Sequence, residues 1–98
     1  VSGVVAAVTA RAAERAKELG AEQALEGLRR ELELVPRLGV LLGPSRQDGV
    51  EVRKTRIEPS GEVPGLAVAY VYTPAPPPPT VAVIAVTPDD GVAGGVVQ

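Results

Sequence analysis

The chain has 98 residues, a formal net charge of −2 and an apolar fraction of 45%. That length holds one small domain around a single core, and the charge lacks the basic excess of a general nucleic-acid binder. With no His and no Cys, disulfides, thiol chemistry, the usual zinc ligand set and a histidine general base are excluded. The apolar residues are almost wholly Val, Ala and Leu, and Phe, Trp and Met are absent. Large rings normally supply much of a small core's buried area, so the core is expected to be thin and helped by a partner or by self-association. Asn is missing too, an alphabet that suits either a GC-rich genome or a designed chain. No apolar run reaches the ~18–20 residues that span a bilayer, and the first residues lack the basic start of a secretory signal. A cytoplasmic protein without membrane partners is the expectation.

Residues Val1 to Val8 read as a short edge strand or a helix lead-in. Thr9 is placed to cap a helix over Ala10–Leu19, because its oxygen can accept from an orphan backbone N–H. Gly20 then serves as the helix stop. In that helix Val8, Ala12, Ala16 and Leu19 share one face, with Arg11, Glu14, Arg15 and Glu18 turned from it. Leu25, Leu28, Leu32 and Val35 repeat the helical spacing from about Ala21 to Leu34, and Pro36 closes the second helix. Glu26 and Arg30 stand four apart in the favourable order. The two helices read as a hairpin joined at glycine.

Arg37 to Gly49 is a linking segment punctuated by Gly39, Gly43-Pro44 and Asp48-Gly49. Strand-like runs follow at Val50–Ile57, Leu66–Thr73 and Thr80–Val86, separated by Pro/Gly turns and by the Pro74–Pro79 connector. The connector reads as a stiff spacer, or as a ligand for a proline-binding groove. In the second run Leu66, Val68, Tyr70 and Tyr72 alternate with Ala67, Ala69 and Val71. Strands apolar on both faces are central or covered, and the small alanine face is expected to receive the helices. The third run alternates Val81, Val83 and Ala85 with Ala82, Ile84 and Val86. The domain is expected to cover residues 1–88, with 89–98 as a flexible glycine-rich tail.

The charge that matters locally is in the first of these strands. Arg53, Lys54 and Arg56 place three cations within four positions, as a phosphate-facing strand would. A solvated strand face, with Lys blunting a sheet edge and Glu51 and Glu58 as partners, is the plain alternative. Asp89 and Asp90 read as a turn, because two carboxylates alone make a poor cation site. No paired-carboxylate catalytic geometry is evident, and neither metal nor cofactor is called for.

The order helix, helix and three-stranded antiparallel meander, with an edge strand before it, resembles the RelE/ParE superfamily of bacterial toxins. Val8-Thr9-Ala10-Arg11-Ala12-Ala13-Glu14 resembles its strand-to-helix junction. Leu34-Val35-Pro36-Arg37-Leu38-Gly39, followed by Gly43-Pro44, is similar to its Pro-x-x-Gly stretch. Pro64-Gly65-Leu66-Ala67-Val68-Ala69-Tyr70-Val71-Tyr72 and Val81–Val86 look like its last two strands, and the likeness runs from Val4 to Thr87. The resemblance implies an α+β fold, a two-helix hairpin packed on a small antiparallel sheet. It implies a toxin-like component of a type II toxin–antitoxin pair, neutralised by an antitoxin polypeptide, as a monomer or a homodimer.

In the RelE-like branch the resemblance implies metal-independent cleavage of messenger RNA in the ribosome. Lys54 and Arg56 would then be the basic catalytic pair, Arg53 an RNA-phosphate contact, and Tyr72 a base-stacking or orienting residue. That chemistry needs a proton acceptor at the 2′-oxygen and converging charge on the phosphate. The chain departs from the pattern at Leu66-Ala67, where those nucleases carry an arginine, and at Thr87-Pro88-Asp89-Asp90, where they carry Arg with Tyr or His. The ParE-like branch inhibits DNA gyrase and needs no catalytic set. A non-catalytic protein-binding module, or a designed scaffold of the same fold, is the alternative.

Overall fold

A computed structural model describes residues 3–44 and 48–89. Two helices and a five-stranded mixed sheet make an α+β fold, in the order β1 (Val5–Val8), α1 (Ala10–Glu18), α2 (Glu22–Leu34), β2 (Val40–Leu41), β3 (Glu51–Ile57), β4 (Leu66–Thr73) and β5 (Thr80–Pro88). The sheet runs β1-β5-β4-β3-β2. The meander β3-β4-β5 is antiparallel as expected, whereas β1 pairs parallel to β5, so the sheet is not wholly antiparallel. The expected tail lies outside the described residues beyond Asp89.

α1 begins and ends where its capping chemistry sets it, whereas Ala21, at the N-cap of α2, makes no side-chain capping hydrogen bond. Thr9 Oγ1 accepts from the Ala12 N–H at 3.2 Å, and the Thr9 N–H donates to Val83 O at 3.0 Å. One residue therefore ends β1 and starts α1. Gly20 takes φ 68°, the left-handed geometry in which any other residue would be strained. In α1 the buried positions are Ala12 and Ala16, and in α2 they are Leu25, Leu28 and Leu32. α1 packs chiefly on β5 and α2 on β1, each more than on its neighbour. Arg29 ties α2 to the sheet by donating to Ala6 O at 3.1 Å. Its guanidinium also binds Glu26 at 2.7 Å and Glu33 at 2.8 Å, and Arg30 reaches Glu26 at 3.4 Å, as their spacing predicts.

The helices cover one face of the sheet only, and it is the face of large side chains. Leu66, Val68, Tyr70 and Tyr72 are buried with Val81, Val83 and Val86 against the helical Ala and Leu residues. This reverses the expectation that the alanine face receives them. The helices offer Ala12, Ala16 and Ala21 to the interface, so volume must come from the sheet to reach core packing density. Alanine facing alanine would leave voids.

β5 differs from strict alternation for a second reason. Tyr70 pairs Val83 but Ala69 pairs Ala85, so Ile84 is an extra residue. This bulge turns Ile84 and Ala85 outward together and brings Val86, not Ala85, into the core.

Tyr70 pins the chain that leads into β2. Its ring is fully buried, its hydroxyl donates to Pro36 O at 2.8 Å, and the Gly39 N–H donates to it at 2.9 Å. Gly39 lies so close to β3 that an added Cβ would stand 2.7 Å from the Lys54 carbonyl carbon. Only glycine lets β2 approach β3 there.

Candidate functional site on the open face of the sheet

Directly paired residues in a sheet project to the same side, so the register assigns every strand residue to a face. Lys54 pairs Ala69 and Arg56 pairs Ala67, and Ala69 pairs Ala85 while Ala67 pairs Thr87. All of these lie opposite the helices. The same face carries Val52 with Val71 and Ala82, Val40 beside Lys54, and Val5 and Ala7 at the far edge. Leu42 joins it through its N–H bond to Val52 O at 2.8 Å. Among the described strand residues the polar side chains on this face are Lys54, Arg56, Thr73, Thr80 and Thr87. No described helix covers it, and Val40 is 71% and Val5 52% exposed.

The three cations of β3 part company. Arg53 points to the helix-covered side, 13% exposed, with its guanidinium 2.7 Å from Glu51 and donating to Gly39 O at 2.6 Å. Arg37 holds the same carboxylate at 3.1 Å and stacks over the Tyr72 ring at 5.2 Å. Hydrogen bonds from Arg37 and Arg53 hold the Glu51 carboxyl below the usual carboxylate range, and Glu51 in turn raises Arg37. Arg53 is thus occupied in fastening β2 to β3. Glu51 pairs along its own strand with Arg53, two residues on, and with Arg37 from the segment that precedes β2.

Arg56 is on the open face but engaged. Asp89 meets it at 2.9 Å, and Glu58 approaches at 3.7 Å. Asp89 is fixed by its N–H bond to Gly65 O at 2.7 Å. Asp90 lies outside the described residues. Lys54 is exposed and has no ion pair among the described residues.

Tyr72 is buried on the helix-covered side, only 7% exposed. The structure therefore brings Lys54 and Arg56 together, and it puts Arg53 and Tyr72 on the other face. Beside Lys54 the three alanines 67, 69 and 85 make the floor low. A depression of about 230 Å³ opens there, with Thr87 on its far side.

No protein-family model, curated protein or solved structure matches the chain. The chemistry of the site therefore rests on its own residues. Among the described residues no group of three or more Asp or Glu could hold a metal ion, and no helix is long and apolar enough to cross a membrane.

Val40 and Leu42 were missed as members of this face. Their signal is a period-two pattern, Leu38-Gly39-Val40-Leu41-Leu42, hidden between glycines. The role of Asp89 as the Arg56 partner had no local signal.

Proposed function

We propose that this domain is a polypeptide-binding module of RelE/ParE-like build, the toxin-like component of a type II toxin–antitoxin pair, and that it acts by binding and not by cutting RNA. The observation that carries the reading is the uncovered apolar sheet face. Soluble proteins rarely expose a contiguous apolar surface of that kind unless something docks on it. The order of an edge strand, two helices and an antiparallel meander supports the RelE/ParE-like build, and the ParE-like, gyrase-inhibiting branch asks for no catalytic set.

Against cleavage stands the placement of charge. Transition-state stabilisation of a phosphate needs several preorganised cations aimed at one point. Here Asp89 offsets Arg56, Arg53 and Tyr72 face the other way, and among the described strand residues of this face Lys54 is the one cation without an ion pair. A carboxylate beside the pair would also repel an incoming phosphate. The antitoxin would be the polypeptide that covers the open face, and the site of action would be the cytoplasm.

Expression in a bacterial host tests this. Growth arrest with blocked DNA supercoiling and no ribosome-associated messenger-RNA cleavage is the expected outcome. Ribosome-associated messenger-RNA cleavage that disappears in Lys54→Ala would overturn the binding reading in favour of the nuclease. Unimpaired growth at verified expression of folded protein would remove the toxin assignment and leave a binding module or designed scaffold.

A further inference from the structure

We infer that the open face docks an apolar polypeptide segment that carries a carboxylate. Lys54 is its charge partner, and the alanine trough of Ala67, Ala69 and Ala85 is the seat for one large apolar side chain. The inference rests on the reading of this face as a polypeptide-binding surface and adds the chemistry of the occupant.

Charge complementarity selects that occupant. The chain as a whole is at −2, yet the charged side chains that the strands put on this face are Lys54 and Arg56, both cations. Arg56 is already paired with Asp89. Lys54 has Val40 on one side and Ala69 on the other. Any segment that covers the face must therefore desolvate an ammonium or bring it a partner. An uncompensated buried charge costs several kcal/mol in general, which favours a segment with an Asp or Glu at that point.

The other occupants fit less well. A second copy stacked face to face would offer Lys54 no free carboxylate from the described strands, and it would bury two unpaired ammonium groups. Single-stranded RNA would look for rings to stack on, and both tyrosines lie on the opposite face. The depression of about 230 Å³ is below the ~300 Å³ lower bound of ordinary small-molecule pockets. It suits one side chain of leucine or phenylalanine size.

Two short amphipathic peptides of equal length, one of Leu and Glu and one of Leu and Lys, serve as probes, with binding followed by fluorescence anisotropy and by amide chemical shifts. The Leu–Glu peptide is expected to bind, with shifts on β3, β4 and β5, and the Leu–Lys peptide about tenfold more weakly. Lys54→Glu should reverse that preference, and Ala69→Arg should abolish binding of both peptides. Circular dichroism confirms that each variant is folded. Equal affinity for the two peptides would overturn the charge assignment while leaving a polypeptide-binding face. Shifts confined to the helices, or no binding of either peptide, would overturn both. Sedimentation showing a dimer that Ala69→Arg dissociates would replace the acidic segment by a second copy.

Discussion

Replacing Tyr70 by Phe removes one oxygen atom and tests how β2 is held in place. The ring is fully buried and stays, so no cavity forms. What is lost is the pair of hydrogen bonds to Pro36 O and from the Gly39 N–H, at 2.8 and 2.9 Å. Each is worth about 1 kcal/mol net. Pro36 and Gly39 are half-buried, so water recovers part of the loss, and a destabilisation of about 1–2 kcal/mol follows. For a domain of this size that is a fall in Tm of roughly 4–8 °C per kcal/mol, a sizeable share of a total stability of about 5–10 kcal/mol. Urea and thermal unfolding monitored by circular dichroism measure it. Tyr72→Phe is the control, because its hydroxyl has no hydrogen bond among the described residues, and its effect should stay within about 0.5 kcal/mol. Equal stability of wild type, Tyr70→Phe and Tyr72→Phe would refute the claim that this hydroxyl pins the strand.

Gly39→Ala should be worse than Tyr70→Phe, because the new methyl meets the Lys54 backbone and not a side chain that can swing away. A loss of more than about 2 kcal/mol in urea unfolding is expected, and a neutral result would contradict the close approach of β2 to β3. Glu51 gives a pH test. Its carboxyl is held below its ordinary value by Arg37 and Arg53, so its contribution is complete above the unfolded-state pKa of about 4.3. That contribution is lost as pH falls through the lower folded-state value. Glu51→Gln should therefore be less stable than wild type at pH 7, with the gap closing in acid. A gap that is constant with pH would show that the ion pairs are not its source.

The elements with strong periodicity were legible in the sequence. Leu25, Leu28 and Leu32 mark α2, Thr9 and Gly20 bound α1, and the valine runs give β3 to β5 nearly to the residue. What alternation could not supply was phase. With Leu66, Val68 and Tyr70 on one side of β4 and Ala67, Ala69 and Val71 on the other, both sides are apolar, and only helical packing decides which is covered. The bulge at Ile84 was illegible because it answers a pairing constraint from β4. β2 was missed because its short alternation, Leu38 to Leu42, lies between the glycines and turns of a segment that reads as a linker. At the site, the shared face of Lys54 and Arg56 followed from their spacing. That Tyr72 sits on the other face depends on register with a different strand, and that Asp89 occupies Arg56 depends on a contact distant in the chain.

The central claim is that one face of this sheet is apolar and open. Methyl relaxation with a soluble paramagnetic agent tests it directly. The methyl groups of Val40, Val52 and Val71 should broaden strongly, while those of Val68, Val81 and Val83 stay sharp beneath the helices. Equal protection of the two sets in the isolated protein would show that the face is already covered, and would contradict the account.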